Sequence, residues 1–273
     1  MDPSPSEFVL AIACACAGLG MIDALLASFV LSGKQRTETM RFFILHAAVN
    51  WAVTAACTSS LMATLADPVR SNVATRHPPP ALFDGSSPAG VPAFFQPNNH
   101  WPAILIACIH VYHLLPGLFT LTPSDYFHHL LFCPAIILTG VLLRCGVLRN
   151  AVGWFICGLP GAIDYTLLVM VKLGHLPKLR QKSVNRLVAL WLRIPGLLFM
   201  AFCSYQSFLY DVEASMPARV GTLLCGGFIA FNGMYYGDMS IRNLAEWETR
   251  AQVESKQRRG EAYPVSVDSK KSD

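Results

Sequence analysis

The chain has 273 residues, with 21 Lys+Arg against 17 Asp+Glu for a formal net charge of +4. It is 53% hydrophobic and 14% charged, with a mean hydropathy of +0.42, whereas a soluble domain carries about 25% charged residues. Composition therefore excludes a water-soluble enzyme. The basic excess is segregated by loop, so it gives no reason to expect a nucleic-acid partner.

Seven apolar blocks follow one another near 8–31, 41–66, 101–121, 126–145, 151–173, 186–208 and 219–239. Each reaches about 20 residues, the length that crosses a bilayer core as helix. An all-α polytopic membrane protein with about seven transmembrane helices is expected, its membrane domain covering 1–241. The first block follows an acidic segment with Asp2 and Glu7, not a basic one, so it reads as a retained helix. It carries Asp23, and the second block carries His46 and Asn50.

From 67 to 100 the chain is broken by Pro68, Pro78, Pro79, Pro80, Pro88, Pro92 and Pro97, which predicts an irregular lumenal loop. The third block holds His110-Val111-Tyr112-His113. A short hinge then leads into Asp125-Tyr126-Phe127-His128-His129 at the start of the fourth. The fifth block contains Gly158-Leu159-Pro160-Gly161 and Asp164, and the sixth contains Arg193-Ile194-Pro195-Gly196. Both Gly-Pro elements interrupt regular helix at membrane depth, which is tolerated where protein or a cavity re-satisfies the backbone. The nine cysteines lie within the apolar blocks, Cys145 at the very end of one, and read as small packing residues.

A polar tail is expected over 242–273, helical at first and then charged and disordered. Near its end Lys270-Lys271 resembles the dilysine retrieval signal that coat proteins read on cytosolic tails of endoplasmic reticulum membrane proteins. With the N-terminus lumenal, 15 of the 21 basic residues fall on the cytosolic side, five on the other, and Arg193 within a helix. This asymmetry follows the positive-inside rule and predicts an N-out, C-in protein of the endoplasmic reticulum.

Counting inward from the cytosolic ends at 1.5 Å per residue places Asp23, Asn50, His113, Asp164 and Arg193 about 10–13 Å deep. Ionisable groups at such depth are costly and face a protein interior or cavity. Asp23 or Asp164 is expected to offset the charge of Arg193 by pairing. The histidines divide into one His-x-x-His and one His-His pair, too few for a di-iron centre. Three histidines and a carboxylate fit a single zinc, but covalent or acid–base chemistry fits the pattern better, since imidazole titrates near neutrality. No metal or bound cofactor is therefore expected.

The set Tyr112-His113, Asp125, His128-His129 and a later buried arginine resembles the TLC-domain superfamily, which includes ceramide synthases and TRAM-like proteins. The resemblance covers about 101–238. It implies a barrel of six helices plus one, enclosing a lipid-accommodating tunnel, with His128 and His129 at an acyl-transfer site. The His-Asp-x-x-Asp element of the synthases is not reproduced; only Asp164 stands at the comparable place. An acyltransferase is one implied function, with His128, His129 and Asp125 catalytic. His110, His113, Asp164, Arg193, Asp23 and Asn50 would line the substrate site, and acyl-CoA would serve as substrate. A non-catalytic protein that binds a lipid acyl chain or escorts membrane cargo is the alternative, and a transporter is a third. A seven-helix receptor is disfavoured, because Asp-Arg-Tyr and Asn-Pro-x-x-Tyr are missing at the third and seventh blocks. Oligomeric state is not encoded in any of these features.

Topology is directly checkable. A glycosylation acceptor engineered between Ser71 and Asn99 should be modified in microsomes, and one placed in the tail should not. Modification of the tail would reverse the orientation.

Overall fold

A computed structural model describes residues 4–31, 37–68, 99–132, 134–142, 145–212 and 214–259. Lys270, Lys271 and most of the 67–100 loop lie outside the described residues. Helix is the only regular structure among the described residues, and its runs fall on the apolar blocks. Helix α1 spans Pro5–Leu25 and runs on through a π turn at Leu26–Val30. Its start is fixed by a capping box in which Ser4 and Glu7 exchange side-chain and backbone hydrogen bonds. Helix α2, Glu38–Ala66, begins where the Thr37 hydroxyl accepts the Met40 N–H.

Helix α3 is Trp101–Leu114, shorter than the apolar block to which it belongs. Leu115 turns extended ahead of Pro116, as the residue before a proline must, and Gly117 adopts a φ of 79° that ends the helix for good. Helix α4 opens at Pro123–Phe127, passes through π segments at His128–Phe132 and Pro134–Leu138, and closes with Thr139–Leu142. Helix α5 runs from Gly146–Gly153 through a π turn at Trp154–Gly158 into Leu159–Lys172. Helix α6 repeats the device, with Lys178–Val188, a π turn at Ala189–Arg193, then Ile194–Tyr210.

In α5 and α6 the wide turn ends two residues before a proline: Gly158 before Pro160, Arg193 before Pro195. A proline ring clashes with the carbonyl one turn back and offers no N–H. A π turn there relieves the clash without breaking the rod. The Gly-Pro elements thus produce local widenings of continuous helices.

Helix α7, Met216–Arg258, is one unbroken rod of 43 residues. The change from membrane block to polar tail at 242 is therefore chemical only; the backbone does not break there. Exposed pairs Arg242–Asp238 at 2.7 Å and Arg258–Glu254 at 3.6 Å lie at i,i+4 along the emerging part.

Among the described residues, five segments are long and apolar enough to cross a membrane: Ser6–Phe29, Glu38–Ala66, Asp125–Leu142, Val147–Lys172 and Lys178–Tyr210. Their outer faces expose large apolar side chains, with Phe29 82% and Trp191 79% accessible, which suits a lipid solvent and not water. Inside, one core joins Phe155, Leu197, Met200 and Ile229 of α5, α6 and α7. A second joins Leu19, Val53, Ile109 and Tyr112 of α1, α2 and α3.

Helix α6 approaches its neighbours through glycine contacts. A Cβ on Gly196 would fall inside the Phe155 ring, and one on Gly237 would strike Ile194. Small residues at such crossings let helices pack closely in lipid. Gly196→Val should therefore destabilise the detergent-solubilised protein by about 1–3 kcal/mol, the usual cost of overpacking. It would be read as a lowered melting temperature, and adding Phe155→Ala should recover part of the loss.

Candidate functional site

Helices α2 to α7 enclose a cavity of about 370 Å³. Along α7 its wall extends from Thr222 to Asn243, a rise of about 31 Å at 1.5 Å per residue. That matches the ~30 Å hydrocarbon thickness of a bilayer. Lys182 lies at one end of the wall and Arg149 toward the other, with Ile106, Ile137, Val152, Ile156 and Ile229 between them.

Most of the polar residues singled out in the sequence meet on this wall. Asn50, His110, Asp125, His128, His129, Asp164 and Arg193 all line it, and His46 joins them. Two do not. His113 is 1% accessible and sits behind the wall, stacked on His46 at 4.3 Å and against Phe42 and Phe119. Asp23 also lies elsewhere: it accepts a hydrogen bond from Arg41 at 2.7 Å and another from the Tyr112 hydroxyl at 3.0 Å. It ties α1 to α2 and α3, and the expected pairing with Arg193 is not made. The mouth of α2 supplies its counter-ion, so no cavity residue is needed.

The histidine tautomers follow from their neighbours. His46, His110 and His129 each direct Nδ1 at the carbonyl four residues back, Phe42 at 2.9 Å, Ile106 at 2.6 Å and Asp125 at 2.6 Å. A carbonyl only accepts, so each Nδ1 carries the proton and each neutral ring keeps its lone pair on Nε2. His110 Nε2 lies 3.2 Å from His128 Nε2, so His128 donates that bond. His128 Nδ1 is then the acceptor for the Tyr236 hydroxyl at 2.9 Å. The result is a directed chain from Tyr236 through His128 and His110 to the backbone of α3.

The adjacent histidines consequently differ. Both nitrogens of His128 are engaged, whereas His129 Nε2 is buried with no hydrogen-bond partner, in a ring 5% accessible. Asp125 orients His129 through its backbone carbonyl. Its carboxylate instead accepts bonds from the Thr122 N–H at 2.8 Å and the Thr122 hydroxyl at 2.7 Å, closing the start of α4. That carboxylate is engaged at the helix start, and only the Asp125 backbone oxygen touches His129.

Asp164 accepts a 2.5 Å bond from Gln181 Nε2. Arg193 donates from Nη2 to Asn232 Oδ1 at 2.9 Å, and its guanidinium lies 5.1 Å from the Tyr236 ring centroid. Among the described residues, no group of three or more His, Cys, Asp or Glu side chains is arranged to hold a metal ion. Gln181, Tyr165 and Tyr236 escaped the sequence reading. For Tyr236 the available signal was its i,i+4 spacing from Asn232 on one face of an apolar helix. Gln181 was hidden in a strongly charged segment.

The chain matches no protein-family profile, no curated protein and no solved structure. The chemistry of the cavity is therefore read from its own geometry.

Proposed function

We propose that this protein is a TLC-like multi-pass membrane protein of seven spans that accommodates a lipid acyl chain and transfers acyl groups, with His129 as general base. One observation carries the proposal: His129 presents a buried, unpaired Nε2 lone pair to an elongated cavity, with its tautomer held by the Asp125 carbonyl. A cavity of that length with an apolar middle suits an extended hydrocarbon chain. The orientation rests on the segregation of Lys and Arg between loops. The endoplasmic reticulum assignment rests on the resemblance of Lys270-Lys271 to a dilysine retrieval signal, together with that of Asp125, His128 and His129 to TLC proteins.

In the proposed reaction His129 Nε2 takes the proton from a lipid amine or hydroxyl. That group attacks the thioester carbonyl of an acyl-CoA, and the carbon–sulfur bond breaks. The departing thiolate then recovers the proton from Nε2. No cofactor enters. His128 holds its neighbour in register through Tyr236 and His110, so it is a positioning residue. Asn50, Asp164 and Arg193 form the surrounding polar wall.

A non-catalytic lipid-binding protein is the second reading. The mutual hydrogen bonding of His110 and His128 favours it, because histidines so engaged also serve to join α3, α4 and α7.

Purified full-length protein in lipid nanodiscs, given labelled palmitoyl-CoA and long-chain amines or alcohols, tests the choice. Transfer should fall by about 10²–10⁴-fold in His129→Ala, the usual value of a general base, with the melting temperature retained. Tyr236→Phe, which removes the bond to His128, should cost less. Transfer unchanged in His129→Ala would refute the assignment. No transfer by the intact protein, together with retention of co-purified lipid, would establish the binding reading instead.

A further inference from the structure

Arg193 lies in the cavity wall, yet its contacts are with neutral groups, the Asn232 amide oxygen and the Tyr236 ring. Its Nε–H is buried and unpartnered. The carboxylates of the wall are engaged elsewhere, Asp164 with Gln181 and Asp125 with Thr122. Asn232 is fully buried. Because its Oδ1 receives the arginine, its Nδ2 must point away as a donor, and that donor is also unpartnered. Two buried donors from α6 and α7, one of them cationic, thus lack an acceptor on a cavity surface. Each buried donor left unpaired is costly, and more so on a cation.

We infer that Arg193 and Asn232 form a binding site for the carboxylate of a long-chain fatty acid, whose hydrocarbon tail lies along the apolar part of the cavity wall. Its two oxygens accept the unpaired guanidinium and amide donors. Charge-assisted bonds of this kind are the strong ones, and arginine recognises carboxylates with particular fidelity. The π turn at Ala189–Arg193 sets this orientation, because it places the guanidinium on the α7 side immediately ahead of Pro195. This inference rests on the same lipid cavity as the proposed function, but requires no turnover.

The test is displacement of a fluorescent fatty acid from the full-length protein in detergent, in alkaline buffer that keeps acids ionised. Palmitate should compete at least about tenfold more strongly than hexadecanol, a preference equivalent to ~1.4 kcal/mol. Arg193→Gln should abolish that preference while leaving hexadecanol binding intact, which shows that the cavity persists. Arg193→Lys should keep part of it, and Asn232→Asp should weaken palmitate selectively through like-charge repulsion. Equal binding of palmitate and hexadecanol by the intact protein would overturn the inference, as would a preference that survives Arg193→Gln. Either result leaves acyl transfer by His129 to be judged by its own assay, since hexadecanol binding reports the cavity separately from the carboxylate site.

Discussion

Inside a bilayer there is no water to accept a stray proton, so a polar hydrogen is costly unless an acceptor lies within the protein or its ligand. For His46, His110 and His129 that acceptor is the carbonyl four residues earlier on the same helix. This one local bond decides which nitrogen carries hydrogen and which lone pair faces inward. From it follows the direction of the Tyr236–His128–His110 chain, because His110 can only receive and His128 must then give. From it also follows the difference between neighbouring histidines, one saturated and one left with a free lone pair. The chemistry of the cavity is thus set by backbone oxygens.

The cavity itself depends on how prolines are accommodated. Pro160 and Pro195 would each break a regular helix. A π turn ending two residues earlier absorbs each clash and keeps the rod continuous. Those widened turns contain Cys157 and Arg193, and a π segment of α4 contains His128 and His129; all four line the cavity. The same local geometry that relieves strain therefore aims polar side chains inward. Glycines beside the prolines complete the arrangement: Gly161 leaves room for Asn50, and Gly196 admits the Phe155 ring.

Much of this layout was legible in the residues. Apolar block length located the helices, and the cost of buried charge correctly grouped Arg193, Asp164 and the His128-His129 pair around one space. Rotation about the helix axis was not legible. Helices α1 and α3 are apolar on all sides, so no stripe reveals which face turns inward. Depth counting therefore placed Asp23 and His113 in the same layer without showing that they face away from the cavity. Asp23 finds Arg41 at the start of α2. The polar stretch after 242 was expected to start as helix, but with the apolar signal ending there nothing showed that it continues α7 without a break. Tyr236 became meaningful only once His128 was seen beside it.

The central claim is that an acyl chain lies in the cavity with His129 Nε2 open toward it. A side-chain-resolution structure of the protein in lipid nanodiscs is the most direct measurement. Elongated density in the cavity that reaches both His129 Nε2 and Arg193 is the expected result. A collapsed cavity, or His129 Nε2 hydrogen-bonded to another protein group, would contradict it.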